Sequence, residues 1–70
     1  MDEQIRKTID DFWSELRDIK TDEFYKDYLE FCEQDGVKPR AKNIVIREAC
    51  EELNLTTKQK HITYTVFCEK

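Results

Sequence analysis

The side chains best suited to chemistry in this chain are cations that gather in its second half. Between Gly36 and Arg47 the sequence contains no acidic residue. Residues 36–70 carry seven bases and four acids, whereas residues 1–35 carry five bases and twelve acids. Lys and Arg side chains without neighbouring carboxylates attract anions. The sequence therefore predicts a docking surface for an anionic partner, built from these residues: Lys38, Arg40, Lys42, Asn43, Arg47, Lys58 and Lys60.

The other reactive side chains lack the spacing that catalysis or metal binding requires. Cys32, Cys50 and Cys68 are odd in number and include no CxxC pair, which disfavours both a disulfide framework and a zinc site. Adding His61 completes a set of four ligands, yet small buried apolar residues are the simpler interpretation of the cysteines. His61 has no recognisable nucleophile beside it, and one glycine cannot build a phosphate-binding loop. We therefore expect no metal, no cofactor and no enzyme activity in this domain.

Length and composition limit the kind of protein further. Seventy residues are enough for one domain, over residues 1–70, with a thin core. Charged residues make up 40% of the chain, which leaves little material for an enclosed substrate cavity. No apolar run approaches the roughly 20 residues of a membrane span, and the N-terminus has no signal-peptide pattern. These features predict a cytoplasmic protein without a membrane partner or a small-molecule substrate, and Met1 is compatible with the start of a fragment.

Two amphipathic helices are predicted to precede the cationic residues. The first covers about residues 3–18, where apolar residues recur at helical spacing and Trp13 is expected to be a buried anchor. The second covers about residues 22–35, with Thr21 as its N-cap and Gly36 in the left-handed conformation just past its end. We interpret its aromatic face as core rather than as a base-stacking surface. That face contains Phe24, Tyr25, Tyr28, Leu29, Phe31 and Cys32.

The cations are predicted to lie on a third helix and a β-hairpin. The helix covers about residues 41–53, because apolar residues recur at helical intervals there. Residues 62–68 alternate in the manner of a strand, which predicts a hairpin over about residues 56–68 with Lys58, Lys60 and His61 at its tip. Three helices and a hairpin give a mainly α, α+β fold, a three-helix winged helix–turn–helix domain. Because its connector, third helix and hairpin tip converge, the cations are expected on one continuous surface.

The middle of the chain resembles a pattern found in replication proteins. Residues 23–39, EFYKDYLEFCEQDGVKP, contain two tyrosines, an aromatic–Cys pair, a glycine and a Lys-Pro pair. These features are similar to the C-terminal winged-helix domain of phage, plasmid and poxvirus-type primase–helicases. The similarity covers about residues 21–55. The chain departs from the family pattern at Arg40-Ala41, at Asn54, where glycine is usual, and in a hairpin that lacks a basic, glycine-containing tip.

The resemblance implies a DNA-binding accessory domain of a mobile-element or viral replication initiator, with a helicase or ATPase domain upstream in the same parent protein. In helix–turn–helix docking, the start of the recognition helix enters the major groove of duplex DNA. Lys42, Asn43 and Arg47 would then contact base edges. The remaining cations would contact phosphates: Lys38, Arg40, Lys58 and Lys60.

Two other interpretations of the charge pattern remain open. The acidic helices could dock a basic protein, as in a phage-type regulator, an anti-repressor or a DNA mimic. The cations could also be a solvated face that balances those acidic helices. Affinity for duplex DNA that falls steeply as salt rises separates DNA binding from both.

Overall fold

The computed structural model describes residues 2–12 and 19–70 and confirms the predicted α+β fold, with three helices followed by an antiparallel hairpin. Residues 13–18, which include Trp13 and the predicted end of the first helix, lie outside the described residues. Within the described part, no helix has the length and apolar character needed to cross a membrane. The elements are α1 (Glu3–Phe12), α2 (Thr21–Asp35), α3 (Lys42–Leu53), β1 (Leu55–His61) and β2 (Tyr64–Glu69).

The core lies where the three helices meet one face of the hairpin. Phe24 is at its centre, with its ring 6.0 Å from that of Phe12 and 5.2 Å from that of Phe67. Thr8 and Thr21 are buried polar residues, and the hydroxyl of Thr8 donates to the carbonyl of Gln4 at 2.7 Å. Such aromatic pairs add about 0.5–1.5 kcal/mol each to the burial of their area. The main cluster contains Ile5, Ile9, Phe24, Tyr28, Cys32, Val45, Ala49, Leu55 and Phe67.

The helix ends show one wrong prediction and one confirmed one. Thr21 is not the N-cap of α2 but its first residue; the cap position belongs to Lys20, whose backbone is extended and whose side chain makes no capping bond. Gly36 ends α2 at φ 67°, and its N–H donates to carbonyls of the last turn. Asn54 takes the same conformation after α3, at φ 55°. Asn tolerates this region better than most residues, so it replaces the glycine that such ends usually have.

Strand pairing explains the cap at Lys20. Lys20 forms an isolated antiparallel bridge with Val66, and the N–H of Phe67 donates to the carbonyl of Ile19 at 3.1 Å. Lys20 is therefore extended and bridged to β2, although the sheet itself has two strands. The helix begins directly after this bridge, at Thr21, one residue before the predicted start. This pairing joins residues far apart in sequence, and no local pattern signals it.

The hairpin turns at Ile62-Thr63, so the predicted tip of Lys58, Lys60 and His61 is wrong. Lys58 pairs with Val66 in the middle of the ladder, and His61 pairs with Tyr64 at its end. A bulge at Lys60 shifts the register between them. Ile62, which was expected inside the second strand, is instead 87% exposed at the turn.

The two faces of the hairpin have different surroundings. Residues directly opposite each other in an antiparallel ladder share a face, and neighbours along a strand alternate. The inner face carries Leu55, Thr57, Thr65 and Phe67, of which Leu55 and Phe67 belong to the core. The outer face carries Lys20, Thr56, Lys58, His61, Tyr64, Val66 and Cys68. Val66 is buried, yet it lies outside the main core cluster.

Candidate nucleic-acid interface

A shallow open groove of about 630 Å³ runs between α3 and the inner face of the hairpin. We call it the α3 groove. Ile46, Cys50 and Leu55 supply its apolar lining, while Lys42, Asn43 and Arg47 line it from the start of α3. Hydroxyl groups line the remainder, from Thr21, Thr56, Thr57 and Thr65. No carboxylate is among these residues, which makes the groove suited to an anionic ligand.

The charges of α3 are sorted onto two sides. Its cations line the groove, whereas two of its acids pair with residues elsewhere. Glu48 accepts a hydrogen bond from Arg40 at 2.6 Å, and Glu52 lies 3.6 Å from the guanidinium of Arg6 on α1. Arg47 is exposed and forms no ion pair with any residue in the described ranges. Arg47, midway along α3, is therefore a cation without a carboxylate partner among the described residues.

Two of the predicted contact residues are already occupied. The guanidinium of Arg40 bonds to Asp2 at 3.0 Å and to Glu48 at 2.6 Å. The carboxylate of Asp2 raises the pKa of Arg40, with a smaller contribution from Glu48. Lys42 donates a hydrogen bond to Asp22 in the first turn of α2. Arg40 thus joins the start of the chain to α3, and its first role is structural.

Two tyrosines fix the connector that leads into α3. Tyr28 accepts a hydrogen bond from the N–H of Arg40 at 2.9 Å, and Tyr25 donates one to the carbonyl of Arg40 at 2.7 Å. The rings stack with their centroids 5.7 Å apart. Burial raises the pKa of Tyr28 to about 12. The N–H and the carbonyl of Arg40 are thus both hydrogen-bonded, immediately before Ala41, the N-cap of α3.

The predicted contact residues lie on several elements. Lys42, Asn43 and Arg47 lie together in the α3 groove. Lys58 pairs with Val66 on the outer face; Thr57 and Thr65 line the groove from the inner face and Thr56 lines it from the same face as Lys58. Lys58 itself does not line the groove. Lys60 is exposed in the bulge, and Lys38 is exposed in the connector.

Sequence reasoning missed the threonines of the groove. Thr21, Thr56, Thr57 and Thr65 come from three separate segments, and only the strand pairing brings them beside α3. The clearest signal was the density of threonine between residues 56 and 65. The tyrosine pair was expected only to fill the core, although its spacing of three residues places both hydroxyls on one helix face.

The chain was compared with protein-family models, curated proteins and solved structures, and none of them matches it.

Proposed function

We propose that this domain binds duplex DNA through the α3 groove, with α3 as the recognition helix. The observation that carries the proposal is the sorting of charge on α3. Arg47 and Asn43 lie in a groove without carboxylates, while Glu48 and Glu52 are held by Arg40 and Arg6. In helix–turn–helix docking it is the start of the recognition helix that enters the major groove, which is the cationic end of α3 here.

The groove offers both kinds of contact that such binding needs. The fork of Arg47 suits the O6 and N7 acceptors of guanine, and the amide of Asn43 suits the N6 and N7 of adenine. The hydroxyls of Thr56 and Thr57 suit phosphate oxygens, which set the register of the protein on the duplex, and Lys42 would contact phosphate only after leaving Asp22. The resemblance to primase–helicase winged-helix domains supports the same assignment. On that basis we propose an accessory role in replication of a virus or mobile element.

A duplex of about two helical turns, about 20 base pairs of mixed sequence, tests the proposal. We expect the affinity of the full chain to fall steeply between about 50 and 200 mM salt. Arg47→Ala should weaken binding and reduce by about 1 the slope of the logarithm of affinity against the logarithm of salt concentration. On a DNA sequence that the protein prefers, the loss of binding free energy should reach about 1–3 kcal/mol. Fluorescence anisotropy measures both quantities, and circular dichroism confirms that the variant is folded.

Lys26→Ala is the matched control for Arg47→Ala. It removes one exposed cation from α2, outside the residues that line the groove. Equal losses from the two variants would mean that only net charge matters. An unchanged affinity in folded Arg47→Ala would remove α3 from the DNA contact and favour a protein-interaction role.

A further inference from the structure

The outer hairpin face carries a second cationic surface that the α3 groove does not use. Residues 54–68 contain no acid, although the whole chain has a net charge of −4. Lys58 and Lys20 lie on this face, and Lys60 is exposed in the neighbouring bulge. The strand pairing places Lys58 on the side of the hairpin opposite Thr57, and the groove-lining Thr56 is the neighbour of Lys58 on the outer face.

Aromatic rings accompany these cations. His61 and Tyr64 stack with an interplanar angle of 10° and a centroid separation of 5.6 Å. Lys20 places its Nζ 4.5 Å from the centroid of the Tyr64 ring. Tyr64 is therefore in contact with both His61 and Lys20. Because His61 is exposed and Tyr64 lies against one of its ring faces, the other ring face is turned outward.

The orientation of His61 is fixed before any ligand binds. The N–H of Thr63 donates to Nδ1 of His61 at 3.3 Å, and the hydroxyl of Thr63 lies 3.0 Å from the same nitrogen. A ring held by the turn and by Tyr64 loses little rotamer entropy on binding. Ile62, 87% exposed at the turn, extends the apolar surface beside the ring.

We propose that the outer hairpin face binds a single strand of nucleic acid. Bases would stack on His61, while Lys58 and Lys60 would contact the phosphates, which is the pairing of rings and cations that single strands require. Charge complementarity favours an anionic partner. The rings favour one with exposed bases over an acidic peptide, because a carboxylate chain would use the lysines alone. This inference is independent of the α3 groove, since the two surfaces share none of these residues.

The test uses the full chain and a labelled oligothymidine of about 12 nucleotides, within the range of roughly 4–16 that such sites cover. His61→Ala should weaken binding at least about fivefold, because stacking on one base contributes that much or more. His61→Phe should restore binding, since a phenyl ring still stacks. Lys58→Ala should reduce by about 0.7 the slope of the logarithm of affinity against the logarithm of salt concentration. Lys26→Ala, on α2, is the matched control and should change little.

Three outcomes would overturn the proposal. The first is an absence of oligothymidine binding at low salt. The second is that Lys26→Ala and Lys58→Ala weaken oligothymidine binding equally, which would show that binding depends only on the net charge of the protein. The third is tight binding of polyglutamate that depends on Lys58 but not on His61, which would assign the surface to an acidic protein. Loss of duplex binding in Arg47→Ala with oligothymidine binding intact would support this surface as separate from the α3 groove.

Discussion

Asp27 is a partly buried carboxylate at the contact between α1 and α2. The pKa of Asp27 is raised to about 6, chiefly by burial. A hydrogen bond with Asp11 of α1 and repulsion from Asp11 and Glu30 raise this pKa further. One carboxylate oxygen of Asp27 is buried and has no partner in the described part of the chain. Two carboxylates can form a hydrogen bond only when one of them carries a proton. Protonation of Asp27 therefore allows the two carboxyl groups to bond across the contact between α1 and α2, whereas two ionised carboxylates repel each other.

We predict that Asp27→Asn stabilises the protein at pH 7. Because the folded-state pKa of Asp27 lies above the ordinary value of 3.8, its stabilisation is complete below about pH 3.8 and is lost as pH rises through about 6. The amide keeps a donor at every pH, so the gain should be about 1–2 kcal/mol at pH 7, allowing for partial solvent exposure. Urea unfolding at pH 4, 6 and 7 checks this. Asp10→Asn, an exposed position on α1, is the control, and an equal gain there would contradict the explanation.

At the scale of elements, local patterns located the helices but not the points where distant segments meet. Gly36 and the apolar spacing of α3 depend on neighbours within a few residues, and both predictions were confirmed. The N-cap of α2 and the hairpin turn were wrong because each depends on long-range pairing. Lys20 is held by Val66, and the register from Leu55 to His61 leaves only Ile62-Thr63 for the turn.

The tyrosine pair gives a prediction about the connector between α2 and α3. Tyr28→Phe removes the acceptor for the partly buried N–H of Arg40, so it should cost about 1–2 kcal/mol in the free energy of unfolding. Tyr25→Phe breaks an exposed bond and should cost about 0.5 kcal/mol. Urea denaturation measures both. A larger loss from Tyr25→Phe would mean that the connector is held from its exposed side.

For the whole molecule, charge predicted which residues could meet an anion but not how they are arranged. The absence of acids between Gly36 and Arg47 indicated a group of cations, and Lys42 and Arg47 of that group line one groove. It could not reveal that Arg40 is held by Asp2, which lies 38 positions earlier in the chain. Nor could it separate Thr57 from Lys58, since adjacent strand residues point to opposite faces only once the ladder exists.

The presence of both surfaces on one hairpin predicts a preference for DNA junctions. A duplex in the α3 groove that continues into a single strand can reach the outer hairpin face, and the second contact is then intramolecular. We expect a duplex with an oligothymidine tail to bind at least about tenfold more tightly than the blunt duplex. Arg47→Ala should weaken both complexes, whereas His61→Ala should weaken only the tailed one. Anisotropy titrations at one salt concentration measure the affinities of the two variants for the two DNA molecules. A tail that adds no affinity would show that the two surfaces cannot be occupied by one DNA molecule.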